Sequence, residues 1–438
     1  MATQKETSLR GTKQSHDAND NNKQIASSLA MTHARVPKLR FKEFEGDWEK
    51  KKFGDIAIKV GSGSTPRGGV EVYQNFGIPF IRSQNVVNDR LVLDETCISE
   101  EINSKMKGSI VKPKDILLNI TGGSIGRSCI VPDDFTIGNV NQHVCIIRLN
   151  KNNSPKFIQS FIASYKGQKL ITQGQTGSGR EGLNFQSIRL FNTHIPNLPE
   201  QQKIANFLTA VDTKLQQLTT KKETLAQYKK GVMQQLFSQQ LRFKPDGGSA
   251  FPDWEEKKLK EFISDFIVPM RDKPKDLKGE IPWCRIEDFD GKYLFKSKSN
   301  QGVSIETVKE MNLKVYPINT LLVSCSANLG FCAIVKKELI TNQTFIGLVP
   351  NPDKIDVDYL FHIMKLSSRR LNVLSSGTTI SYLSRKQFEN FKINYPSIKE
   401  QKKIAAYLSA IDTKIEAVQT QISNTQAFKK GLLQQMFV

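Results

Sequence analysis

The segment PNLPEQQKIANFLTAVDTKLQQLTTKKETLAQYKKGVMQQLFS at 196–238 returns 200 residues later as PSIKEQKKIAAYLSAIDTKIEAVQTQISNTQAFKKGLLQQMFV at 396–438. Eighteen of the 43 aligned positions are identical, among them Glu200/Glu400, Gln201/Gln401, Ile204/Ile404, Leu208/Leu408, Asp212/Asp412, Lys229/Lys429, Gly231/Gly431 and Phe237/Phe437. A duplication of that length makes the chain a covalent pseudo-dimer, and such chains bind or read something with two halves.

Both copies carry a helical period. In the first, Ile204, Leu208, Val211, Leu215, Leu218, Leu225, Val232 and Leu236 follow a 4-3 spacing, with Lys222 and Lys229 filling the gaps. In the second, Ile404, Leu408, Ile411, Ile415, Val418, Ile422, Leu432 and Met436 do the same, interrupted by Thr425 and Lys429. A seam sustained over four or more heptads predicts a coiled coil. The competing reading is two separate amphipathic helices, each lying on its own domain. Forty helical residues reach roughly 60 Å at 1.5 Å per residue, so the second helix can bury its seam against the first only by returning antiparallel. The expected result is a rod with a globular domain near each end, related by a pseudo-twofold axis.

The repeat extends beyond the helices. Leu39-Arg40-Phe41-Lys42 with Asp47-Trp48 is echoed by Leu241-Arg242-Phe243-Lys244 with Asp253-Trp254, and IPFIR at 78–82 by IPWCR at 281–285. ILLNITGGSIGRSCIV at 116–131 lines up with TLLVSCSANLGFCAIV at 320–335, and Asn141-Gln142 with Asn342-Gln343. Short β-branched or aromatic runs punctuated by Gly, Asn and Pro predict strands and loops. Each repeat is therefore read as an α/β globular unit followed by a long helix. The boundaries expected are a disordered polar tail at 1–36, globular units at 37–195 and 241–395, and helices at 196–240 and 396–438. The tail is rich in Asn, Gln, Ser, Thr and Lys and holds too little apolar surface to offset the entropy of ordering. The segment around Phe41 and Trp48, which no helix precedes, is expected to pack against the end of the second helix near Phe437, closing a circle; the alternative is that both rings are only local core residues.

A formal charge of +20 and a pI near 9.5 point to a polyanion, with nucleic acid ahead of an acidic membrane surface. No apolar run approaches the roughly 18 residues that span a bilayer. The six cysteines show no CxxC spacing and only five histidines are present, so neither a zinc site nor a disulfide framework is suggested, and a reducing cytoplasm is the simplest compartment.

Catalytic motifs are hard to find. Asn351-Pro352-Asp353 lacks the second proline and the ring of an adenine-methylating motif, and no GxxxxGK[ST] loop occurs. Asp253, Glu255, Glu256 and Lys257 resemble a metal-nuclease cluster, but they crowd one repeated linker and fit a solvated turn better. TGGSIG at 121–126 suits a strand-to-turn junction, and His143, His194 and His362 stand isolated.

Binding chemistry is better supplied. Polar and basic loops recur at matching places: 61–67, 82–85, 119–127 and 177–184 in the first unit, and 271–275, Arg285, 324–328, 342–344 and 375–386 in the second. Their side chains suit phosphates and base edges, and Arg67, Arg82, Gln84, Arg180, Arg285, Asn328, Arg385 and Lys386 are the candidate DNA contacts. The bland reading of any one of them is an exposed loop side chain.

The doubled EQ-xx-I helix start, the KKGVMQQLF and KKGLLQQMF helix ends, and the Gly/Ser-rich turn before each helix together resemble the specificity subunit of type I restriction-modification systems, over residues 37–438. The resemblance implies two target-recognition domains joined by two long antiparallel coiled-coil helices, reading an asymmetric bipartite sequence in double-stranded DNA. It also implies a noncatalytic chain without cofactor. Two modification subunits would bring S-adenosylmethionine, and two restriction subunits would bring ATP and magnesium. The rivals are a single-chain methyltransferase or nuclease with an unfamiliar site, and a coiled-coil adaptor that does not bind DNA.

Overall fold

A computed structural model describes residues 36–87, 89–176, 182–248, 250–269, 273–326, 329–375 and 382–438. The polar tail expected at 1–36 thus lies outside the described residues except for Val36. The chain divides into two compact units, one made of residues up to Leu218 together with Gln421–Val438, the other of Thr219–Thr420.

In the first unit the main sheet runs Ala57–Ser62, Val144–Leu149, Ile116–Asn119, Ser128–Ile130, with every pair antiparallel. Its two central strands are apolar without alternation because both faces are covered. Ile116, Leu118, Cys145 and Ile147 face a core built with helix Pro155–Ala163 and Trp48. Leu117, Val144 and Ile146 face a second core with Ile81, Val111 and Val140. That core is roofed by a smaller sheet, ordered Cys97–Ile98, Ile78–Ile81, Gly138–Val140, Ile110–Val111, in which the middle pair is parallel.

The second unit repeats the plan. Ile263–Ile267, Phe345–Pro350, Leu321–Ser324 and Cys332–Val335 lie in the same order, with Tyr293–Leu294 added at the edge. Leu321 and Val323 face one core and Leu322 the other. Gly302–Val303, Ile281–Cys284 and Ile340–Thr341 form the smaller sheet, again with one parallel pair. The mixed helix and sheet content is that expected, but among the described residues most strand pairs are antiparallel and no regular β-α-β crossover builds the sheets. The connectivity is closer to α+β than to the α/β class, because most paired strands are antiparallel and the helices between strands, such as Glu100–Lys105 and Ile305–Glu310, are short.

The long helices span Leu198–Phe237 and Ile398–Gln435. Burial along them keeps the 4-3 spacing. Ile204, Leu208, Val211, Leu218, Val232 and Leu236 are buried, with Leu215 and Leu225 half-buried; Ile404, Leu408, Ile411, Val418, Ile422, Leu432 and Met436 are buried, with Ile415 half-buried. Within each unit the helix segments run antiparallel: in the first Lys429 pairs with Asp212 while Ile204 and Leu208 share a core with Met436 and Phe437, and in the second Lys229 meets Asp412 and Lys222 meets Gln419. The seam is not purely helix against helix. Ile204, Leu208 and Val211 share the first unit's core with Trp48, Phe157, Met436 and Phe437, and Ile404, Leu408 and Ile411 share the second unit's core with Leu236 and Phe237.

The retained motifs explain how each helix is seated. Arg40 makes a bidentate pair with the buried Glu200 (Nε–Oε1 and Nη2–Oε2, both 2.8 Å), and Trp48 Nε1–H donates to the same carboxylate at 3.2 Å. Arg242, Trp254 and Glu400 repeat this at 3.1, 2.9 and 3.0 Å. Gln201 accepts from the Ser154 N–H and donates to the Pro196 carbonyl, each at 2.9 Å; Gln401 does the same with Asp356 and Pro396. The Leu39 N–H donates to the Gln435 carbonyl at 3.0 Å, and Phe437 packs on Phe157 and Phe161, so the N-terminal segment does meet the end of the second helix.

Candidate nucleic-acid interface

In the first unit the strand ends bring the described parts of the recurrent loops together. The Gly63 N–H donates to the Asn141 carbonyl, Asn141 to Ile81, Ile120 to His143, and Leu183 to Ile120, at 2.9–3.2 Å. Asn119 Nδ2 donates to the Ser83 carbonyl (2.9 Å) and to Ser124 Oγ (3.1 Å). The Gly126 turn in this set has φ +87°, and a Cβ there would meet Gln168 at 2.6 Å, so glycine is required. The second unit laces its loops alike: Cys325 N–H to Thr344, Leu383 N–H to Cys325, and a bridge between Ser326 and Tyr382.

The predicted contacts fare differently. Arg67 is exposed. Arg82 and Gln84 are brought together by Asp94, whose Oδ2 accepts from Arg82 Nη2 at 2.9 Å and Gln84 Nε2 at 2.7 Å; Arg82 Nη2 also reaches Thr96 Oγ1 at 2.6 Å. Burial pushes the Asp94 carboxyl up, but hydrogen bonds from the Thr96 backbone, Gln84 and the Thr96 hydroxyl outweigh it and hold the group well below the usual range. Both side chains therefore shape a loop as well as facing solvent, and Arg82 Nε is buried without a protein partner. Arg285, at the matching position, donates to Gln301 Oε1 at 3.0 Å and lies 3.6 Å from Glu287.

Arg385 and Lys386 open a short helix, Arg385–Asn390. Arg385 pairs with Glu389 at 2.8 Å, lies 4.0 Å from Asp265 and stacks over Phe266, while Lys386 is exposed. Arg180 and Asn328 lie outside the described residues.

Two polar pairs in these loops of the first unit were not among the candidates. The Thr65 hydroxyl donates to Gln142 Oε1, and Thr121 Oγ1 lies 2.5 Å from His143 Nδ1. Gln142 and its counterpart Gln343 are exposed beside Asn141 and Asn342, whose side chains hold the turns by accepting from the His143 N–H (3.0 Å) and the Thr344 hydroxyl (2.6 Å). A glutamine so placed can bond bidentately to an adenine edge. The repeated Asn-Gln dipeptide was the available signal. Among the described residues no group of three His, Cys, Asp or Glu is placed to hold a metal ion, and no helix is long and apolar enough to cross a membrane.

The family model for the type I restriction modification DNA specificity domain matches residues 45–227 and 252–425, one match on each repeat. The MjaIX specificity subunit of Methanocaldococcus jannaschii is 32% identical over 176 residues, 39% of this chain and 40% of that one. The putative MjaX specificity subunit of the same organism is 24% identical over 416 residues, 90% and 94% of the two chains. The HindI specificity subunit of Haemophilus influenzae is 22% identical over 80% of this chain and 90% of its own. Among solved structures, the type I S subunit from M. genitalium superimposes with TM-score 0.60 at 16% identity, over 92% of this chain and 99% of that one. A chain from a structure of type I restriction-modification complex assembly gives 0.53 at 17% identity, over 90% and 97%. With the family's domain matched on both repeats, the chain belongs to the type I restriction-modification DNA specificity family.

Proposed function

We propose that this chain is the noncatalytic specificity subunit of a type I restriction-modification enzyme, binding double-stranded DNA and assembling two modification and two restriction subunits. S-adenosylmethionine, ATP and magnesium belong to those partners in this reading. One observation carries it: two units of one topology present unlike polar loops, while the long helices repeat the same seam and the same seating residues, with eighteen of 43 positions identical. Diverged loops suit two different half-sites, and like helices suit two copies of one partner. Arg67, Gln142, Arg285 and Gln343 are the side chains best placed to reach DNA among the described residues.

Replacing residues 37–195 by the corresponding unit of a relative, within the assembled enzyme, should change one half of the methylated sequence and leave the other. Mapping methylated adenines reads this directly. A change in both halves would show that the units do not read independently.

The antiparallel helices are, in the same reading, the spacer between the two readers. Inserting one heptad into each keeps the seam and adds roughly 10 Å. At about 3.4 Å per base pair, the nonspecific gap between half-sites should lengthen by about three base pairs with the half-sites unchanged. An active enzyme with an unaltered gap would show that the helices dock partners without measuring distance.

A further inference from the structure

Where each globular domain sits on the long helices, four charged side chains hold equivalent positions: ion pairs link all four in the first unit, whereas in the second they form two separate pairs, with Lys292 also reaching Ser409 of the helix. In the first unit Lys429 Nζ lies 2.7 Å from both Asp212 and Asp89, and Lys156 Nζ lies 2.7 Å from the other oxygen of Asp212. In the second, Lys229 contacts Asp412 at 2.5 Å, while Lys292 contacts Asp358 at 2.6 Å and Ser409 Oγ at 2.7 Å. The helix pair is the same in both, since Lys429 and Asp212 stand 200 residues from Lys229 and Asp412.

The other two positions are also equivalent, with their signs reversed. Lys156 and Asp358 each lie two residues after the helix N-cap, Ser154 or Asp356, whose N–H is held by Gln201 or Gln401. Asp89 bridges Cys129, which lies opposite Leu117. Lys292 precedes Tyr293, which pairs in parallel with Ile334; this sets Lys292 beside Ala333, which lies opposite Leu322. The residue set beside the sheet is thus acidic in the first unit (Asp89) and basic in the second (Lys292), and the residue on the helix is basic in the first (Lys156) and acidic in the second (Asp358). Each set of two cations and two anions is neutral.

We infer that these are two polarities of one four-charge lock, that the polarity belongs to the globular domain, and that the helices' Lys–Asp pair accepts either. The two domain charges sit on one body and travel together, so a domain of either polarity seats without any change in the helices. The neighbours follow the same logic. Gln159 Nε2 donates to Asp89 Oδ1 at 2.7 Å, and the place next to His362 that faces Lys292 is taken by Phe361, whose ring lies 5.6 Å from that ammonium. The two locks are unequal in comfort. Burial disfavours the Lys429 ammonium, but Asp89 and Asp212 outweigh it and raise its pKa; Lys229, buried against one carboxylate and facing Lys365 and Lys292, is lowered.

The inference concerns seating and does not rest on what the loops bind. In the full chain, Asp89→Lys and Lys156→Asp should each lower the melting midpoint by about 4 °C or more, because like charges then face each other half-buried. The double variant, which copies the second unit's polarity, should return to within about 2 °C of the parent, with Gln159 turning its amide to accept from the new ammonium. Lys292→Asp, Asp358→Lys and their double should behave alike in the second unit. Amide exchange in the paired strands Val86–Val87 and Arg90–Leu91 should quicken in the single variants and recover in the double. If Asp89→Lys does not accumulate as folded protein, Asp89→Asn with and without Lys156→Gln provides the same comparison. Doubles that melt at the sum of the two single shifts would assign the polarity to the helices and overturn the inference, as would single variants that melt like the parent.

Discussion

Arg40→Ala should destabilise the first unit by about 3 kcal/mol, a fall of roughly 6–12 °C in its melting midpoint, and Arg242→Ala should do the same to the second. The reason is the position of the carboxylates. Glu200 and Glu400 are 1% and 0% exposed and start the long helices, where the backbone dipole favours an anion but does not replace a bidentate guanidinium. Removing the arginine leaves the tryptophan N–H at 3.2 or 3.0 Å as the remaining side-chain donor recorded for the carboxylate. Removing both charges together, as Arg40→Leu with Glu200→Gln, should recover much of the loss, because a neutral amide in that place needs no counter-ion. Calorimetric scans of the four chains test this. A shift below about 2 °C for Arg40→Ala would mean that the pair contributes little beyond its packing.

Acid should weaken the second unit through His362. The ring is 0% exposed, and neither ring nitrogen has a protein hydrogen-bond partner. Burial first, then the charges of Lys229, Lys292 and Lys365, push its pKa down to about 2. Unfolded, an imidazole titrates near 6.5. Between these values the unfolded chain takes up a proton that the folded one refuses, so stability is full above about pH 6.5 and falls as the pH drops toward 2. One pH unit below 6.5 the loss is about 1.4 kcal/mol. Carboxylates titrate in the lower part of the same range, so the informative quantity is the difference from His362→Leu. That variant should match or exceed the parent at pH 7.5 and lead it by about 1.4 kcal/mol more at pH 5.5. Identical pH profiles for the two chains would place a proton or a partner on the ring in the folded state.

The parts of this architecture that were legible in the sequence are those with a period or an unbroken apolar run. The seam from Ile204 to Leu236 and its copy stand out because burial every three or four residues leaves an unmistakable spacing, and the apolar run at 116–118 marks a strand because it is covered on both faces. What the repeated Glu-Gln does was not legible, since Arg40 and Glu200 lie 160 residues apart and only folding joins them. The polar loops were legible as a set through their composition. Their internal bonds were not: nothing in 82–96 announces that Asp94 already holds Arg82 and Gln84. The charge lock was hidden for the opposite reason, because matching repeats by identity passes over positions whose signs are reversed.

The two units are unlike as lengths of chain. The second is one continuous stretch, Thr219–Thr420, whereas the first draws on Gln421–Val438 for Leu432, Met436 and Phe437 of its core. A ribosome working from the N-terminus therefore delivers everything the second unit needs before it delivers the last of what the first requires. The unit begun first is completed last, and a frameshift just upstream of the codons for Gln421–Val438 strikes the unit whose other residues were encoded before Thr219.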